Sequence, residues 1–209
     1  MKALLRKDFY LLKAYCKSYL LICAVFLGVS LAGEANLFFF TYPAMLCGLI
    51  PVTLQTYDER SKWTTYSACL PWTRSQLVSA KYLIGLLCSS VILALLGLVL
   101  LFLRQYNQEM RLFLWETTLC LSLLAPTLCL PFVFRLGAEK GRTAYYISIG
   151  LFFALYFCLI QALDLPMADT WTGEPAHLPA IGAAACLVCA ALYAVSWYLS
   201  VRVYQKKAL

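Results

Sequence analysis

The chain has 209 residues, 63% of them hydrophobic and 13% charged, with a mean hydropathy of +0.77 and a formal net charge of +7. Soluble domains carry about 25% charged residues, and a sphere of this size cannot hide so much apolar surface. The composition excludes a soluble enzyme, a disordered chain and a disulfide-stapled secreted domain. It leaves an all-α integral membrane protein of one domain and several helices.

Residues 1–17 read as an amphipathic interfacial helix. At about 100° per residue, Lys2, Arg6, Lys13 and Lys17 share one stripe. Leu4, Leu5, Leu11, Leu12, Tyr15 and Cys16 take the opposing arc, with Phe9 at its edge. Such a helix lies on the membrane surface, basic face toward anionic headgroups. It serves either as a plain anchor or as an elbow that also touches a soluble partner. The basic start followed by an apolar run also suits a signal peptide, but no A-x-A site follows, and the expectation is an uncleaved first span.

Six spans are expected within 18–209, at about 18–33, 37–56, 82–103, 112–134, 144–163 and 179–201. Fifteen of the seventeen Lys and Arg fall on the side that holds both termini and the loops 57–81 and 135–143; only Arg104 and Arg111 fall opposite. The positive-inside rule then puts both termini in the cytosol. It also explains the net positive charge without nucleic acid. Tyr19, Tyr82, Trp115, Tyr145, Tyr146 and Tyr204 sit at span ends, as membrane-interface aromatics do. The ten cysteines fall in apolar or cytosolic stretches and are expected to be free thiols. Cys186 and Cys189 have CxxC spacing, but with a single histidine, His177, on the far side they read as helix-packing residues.

The loop 57–81 is longer than a turn requires. Asp58 and Glu59 give it an acidic start that suits a helix N-terminus. Arg60, Lys62, Trp63 and Tyr66 follow, Leu70-Pro71 breaks the chain, and Thr73 or Ser75 caps a helix carrying Arg74 and Lys81 into the third span. It reads either as a solvated loop or as a docking helix; exposed Trp63 and Trp72 would favour docking. Pro43 and Pro51 interrupt the second span, and Pro126 and Pro131 the fourth. Each removes a backbone donor and bends its helix, a common packing feature that also suits a hinge or a pathway lining. Glu116, one turn inside the fourth span, is an intramembrane carboxylate and so a pathway candidate, although solvation at the outer interface accounts for it equally. Gln161 is a weaker one.

No phosphate-binding loop is present: the nearest string, Gly137 to Thr143, has the wrong spacing. HExxH and GxSxG are absent too. The chain is therefore expected not to be an enzyme and to hold no cofactor or metal.

The elbow, the six spans and the loop together resemble membrane subunits of the ABC-2 exporter class, and among them the small bacterial permeases that include the phenol-soluble-modulin exporter subunits. The resemblance rests on Asp58, Glu59, Lys62, Trp63, Tyr66, then Leu70-Pro71 with Arg74, then Lys81-Tyr82 entering the third span. It implies a permease in a bacterial plasma membrane, paired with a separate ABC ATPase subunit that binds ATP and magnesium. Two permease copies, identical or related, would form the path for an amphipathic substrate such as a peptide. It implies that 58–66 is the coupling helix, with Asp58, Glu59, Arg60, Lys62, Trp63, Tyr66, Pro71 and Arg74 facing the ATPase. Two other classes stay open: a six-span solute-capture subunit or secondary transporter, which would be expected to show internal repeats, and a membrane enzyme without a recognised motif.

Overall fold

Inside a bilayer no water satisfies backbone polar groups, so an apolar chain must bond within its own helices. The computed structural model describes residues 2–15, 17–31, 37–102, 108–137, 139–141, 143, 146–147 and 178–206, and among them there is no strand. The helices are α1 (Lys2–Tyr15), α2 (Lys17–Leu31), α3 (Leu37–Arg60), α4 (Trp63–Ala68), α5 (Arg74–Phe102), α6 (Gln108–Leu136) and α7 (Leu178–Lys206). Arg74–Leu101, Leu114–Leu136 and Gly182–Lys206 are each long and apolar enough to cross a membrane. The pair Lys2–Tyr15 and Lys17–Val29, bent by 65°, passes the same test taken together, as a broken span or a re-entrant loop. Apart from Tyr146 and Ile147, which are helical and exposed, the expected span 144–163 lies outside the described residues, as do Gln161 and the outer loop 164–177.

Helix α6 is central, packed against α3, α5 and α7, with α2 lying on α3. Two apolar clusters fill the interfaces. One joins α2, α3 and α5 through Cys23, Ile50, Leu54, Ile92 and Leu96. The other joins α3, α5, α6 and α7 through Val52, Val78, Leu130, Val133 and Tyr193.

Lipid supplies no hydrophobic drive between helices, so small residues and hydrogen bonds set the contacts. The prolines supply the acceptors. Each proline inside a helix leaves the carbonyl four residues earlier without its donor. Pro126 frees the Ser122 carbonyl, which faces α3 at close range: a Cβ on Gly48 would lie 2.7 Å from that oxygen and 2.8 Å from Ala125 Cβ. Only glycine lets α3 approach α6 this closely. Pro131 frees Thr127, and the Ser196 hydroxyl of α7 donates to that carbonyl at 2.7 Å. The Ser196 proton being committed, the Tyr82 hydroxyl of α5 donates to Ser196 at 2.8 Å and accepts from Ser200 at 2.7 Å. Tyr193 O–H donates to the Tyr82 carbonyl at 2.7 Å. A polar chain thus stitches α5, α6 and α7 inside an apolar bundle.

The eight described cysteines are free thiols, two pairs being in contact: Cys23–Cys47 at 3.8 Å and Cys120–Cys186 at 3.6 Å. Cys16 and Cys158 lie outside the described residues.

Candidate functional site: the charged end of the bundle

The loop after α3 departs from the sequence expectation in one respect that matters. Asp58 and Glu59 do not start a helix; they end one, since α3 runs through to Arg60. A carboxylate at a helix C-terminus opposes the helix dipole and needs compensation. Asp58 finds it in two lysines. Lys7 Nζ of α1 donates to both Asp58 carboxylate oxygens at 2.7 and 2.8 Å, and Lys81 Nζ of α5 lies 2.6 Å from Asp58 Oδ2. Lys81 also reaches Asp8 Oδ1 of α1 at 2.8 Å, and Lys7 lies 3.2 Å from the same atom. Two cations and two anions therefore close a neutral cluster where α1, α3 and α5 meet. Asp8 is 2% exposed, and Asp58 and Lys81 4% each. Leu4, Gln55, Ser67, Leu77, Phe134 and Tyr204 wall the cleft around it.

After Arg60 the chain turns at Ser61-Lys62. Lys62 sits in the left-handed region at φ 54°, and Trp63 opens the six-residue α4 without a side-chain cap. Trp63 is not fully exposed, as docking by that residue requires; it is half-buried, its ring 4.3 Å from Lys7 Nζ and 6.1 Å from the equally half-buried Trp72. The stacked rings of Tyr15 and Tyr57, 4.3 Å apart, tie the end of α1 to α3 as well. Leu70-Pro71 ends the segment in a tight turn, Trp72 N–H bonding the Leu70 carbonyl at 2.7 Å. A capping box then starts α5: Gln76 N–H donates to Thr73 Oγ1 at 3.4 Å, and Thr73 N–H donates to Gln76 Oε1 at 3.2 Å. Of the two expected caps, the helix uses Thr73.

The eight residues singled out in the loop thus divide. Asp58 faces inward, Trp63 is shared, and Glu59 is half-buried with its carboxylate beside Gly137. Arg74 donates to the Gln205 carbonyl at 2.9 Å, capping the C-terminal turn of α7. Arg60, Lys62, Pro71 and Tyr66 are exposed, Tyr66 at 67%, and Leu70 beside them at 39%. The outward surface is therefore Arg60, Lys62, Tyr66, Leu70 and Pro71.

The five hinge or pathway candidates sit in packed interfaces. Pro43, Pro51 and Pro126 are buried, and Pro51 and Pro126 both lie against Gly85. Pro131 acts through the carbonyl it frees. The Glu116 carboxylate fills the space a Cβ on Gly182 would need, and its Oε2 is buried without a hydrogen-bond partner among the described residues. No group of three or more His, Cys, Asp and Glu is placed to hold a metal among the described residues.

The sequence pattern alone does not reveal the pairing of Asp8 with Lys7 and Lys81. One signal was available: Asp8 is the only acidic residue before Glu34, and it lies four residues from Leu4 on a face that must be buried. A lone carboxylate on an apolar helix face needs a cation from elsewhere.

A helical membrane protein with a bundled, ion-paired end that presents a short helix is the class these features define. The chain belongs to the ABC-2 family of transporter proteins, whose family model matches residues 3–205. It is accordingly a membrane-embedded permease of an ABC transporter, a type of protein that works with an ABC ATPase. No curated protein matches the chain.

Proposed function

We propose that the chain is the permease of an ATP-driven exporter, and that the outward face of α4 with its flanking turns receives the ATPase subunit. The observation that carries this reading is the division of the loop. Asp58 and Trp63 anchor it to the bundle, which leaves Arg60, Lys62, Tyr66, Leu70 and Pro71 exposed within one short segment. An exposed aromatic and an exposed aliphatic side chain, with two cations a few residues before them, suit an apolar groove with an acidic rim. The presented face lies at the end of the bundle that carries Arg60, Lys62, Arg74, Arg135 and Lys206, which the positive-inside rule assigns to the cytosol.

The fuller reading has six spans, both termini cytosolic, α1 as an interfacial elbow, and a bacterial plasma membrane as the location. The chain performs no catalysis and binds no cofactor; ATP and magnesium belong to the partner. Two permease copies, the same or related, enclose the path. The resemblance to phenol-soluble-modulin exporter permeases favours an amphipathic peptide as substrate, moved outward.

The test is recovery of an ATPase with the tagged full-length chain from native membranes, for the wild type and for Tyr66→Ala with Leu70→Ala. Truncating an interface anchor costs about 2 kcal/mol, roughly thirtyfold in affinity. The expected result is loss of the ATPase with normal insertion. Equal recovery from both proteins places the docking surface elsewhere.

A further inference from the structure

The four-charge cluster has one member that is not closed in. The Lys7 side chain is 24% exposed, against 5% or less for Asp8, Asp58 and Lys81. Lys7 Nζ contacts both oxygens of Asp58, one of Asp8, and the face of Trp63. Trp63 is the first residue of α4, directly after the left-handed Lys62. Near its start α4 is held by a turn of two residues from α3 and by an aromatic ring over a lysine of α1. Lys81, in contrast, bridges Asp8 and Asp58 by itself, at 2.8 and 2.6 Å. If Lys7 shifts, both carboxylates keep a cation.

This division of labour has a mechanical meaning. A buried carboxylate cannot lose its last cation without a large penalty, so Lys81 keeps α1, α3 and α5 joined. The cation–π contact is weaker and less directional, so Trp63 can slide on the ammonium without breaking the cluster. We propose that Lys7 is a positioning residue through which a displacement of α4 reaches α1, with Trp63 as the moving face and Lys81 as the fixed lock. The inference rests on α4 being the segment that the ATPase moves.

The test uses the full-length permease in lipid nanodiscs, alone and with its ATPase, read by amide hydrogen exchange in α1. In the permease alone, Trp63→Ala and Lys7→Met should each speed exchange in residues 2–15. The double variant should be no faster than Lys7→Met alone, since the ring contact that Trp63→Ala removes is already gone in Lys7→Met. Lys7→Arg, which keeps the charge and the ring contact, should keep wild-type protection. Trp63→Ala leaves every charge in place, so it reports on the contact even if Lys7→Met folds poorly. In the complex, ATP with vanadate should change α1 exchange in the wild type and in Lys7→Arg. In Lys7→Met that response should drop about tenfold, within the usual span of coupling between sites, with the ATPase still bound and, in the absence of vanadate, still hydrolysing ATP. Unchanged α1 exchange in Trp63→Ala, additive single effects, or an undiminished ATP response in Lys7→Met would each overturn the proposal. Loss of the response with the ATPase still bound upholds both readings. If no ATPase accompanies the wild type, the docking reading falls, and the exchange cycle in the permease alone decides whether the joint exists.

Discussion

The charge cluster between α1, α3 and α5 differs in kind from the hydroxyl chain that joins α5, α6 and α7. In the first, two lysines and two carboxylates pair with one another at 2.6–3.2 Å. In the second, the neutral hydroxyls of Ser200, Tyr82 and Ser196 each donate to the next group in line, ending on the Thr127 carbonyl. Deleting one ion strands a buried charge, whereas deleting one hydroxyl strands only a dipole. The cluster therefore behaves as a unit, and the hydroxyl chain as a sum of modest contacts.

The largest test of that contrast is Lys81→Met. It leaves Asp8 and Asp58 sharing Lys7 alone, and it should destabilise the bundle by about 3–5 kcal/mol, measured by reversible unfolding in mixed micelles. Adding Asp58→Leu to Lys81→Met should recover part of this loss, because the stranded charge goes with its partner. If the double variant is worse by the sum of the singles, the cluster is not a unit.

Next comes the close approach of α3 and α6. Gly48→Val drives side-chain carbon into the Ser122 carbonyl, which is helix backbone and cannot rotate away. A loss of about 1–3 kcal/mol is expected, by the same unfolding measurement. A neutral result would show that the two helices separate freely.

The hydroxyl chain should respond less. Ser196→Ala removes the donor to the Thr127 carbonyl and should cost about 1 kcal/mol. Its cost should shrink in a Pro131→Ala background, where residue 131 regains an N–H for that same carbonyl. Equal costs in both backgrounds would break the link between the proline and the serine.

The smallest effect belongs to the turn between α3 and α4. Lys62 holds a left-handed backbone at φ 54°, a conformation that a side chain disfavours by about 1–2 kcal/mol. Lys62→Gly should stabilise the chain, by less than about 1 kcal/mol after the extra freedom of glycine in the unfolded state is counted. Thermal melting in nanodiscs would show the gain, and a loss would mean that the lysine side chain contributes contacts of its own.

The sequence made much of the scaffold legible because lipid imposes simple rules. Apolar length located α5, α6 and α7 within a few residues, except that α5 starts eight residues earlier, at Arg74, behind the Thr73–Gln76 capping box. The Leu70-Pro71 break was equally visible, since proline cannot continue a helix through a missing donor. The start of the loop is not legible in the sequence, for a physical reason. An acidic pair suits a helix N-terminus when only the dipole is considered, and Asp58 ends a helix instead because Lys7 and Lys81 neutralise it from 51 and 23 positions away in the chain.

Composition, apolar run lengths and the Lys and Arg distribution by themselves determined a helical membrane protein with a basic end, because burial in lipid and charge exclusion act on each segment locally. Which carboxylate is buried, which tryptophan is shared, and which side chains are left facing outward were decided only by the tertiary structure. Those outcomes depend on cations and carbonyls brought together from distant helices. Lys7 compensates Asp58, and Ser196 satisfies the carbonyl that Pro131 frees, and no local pattern in the chain encodes either distance.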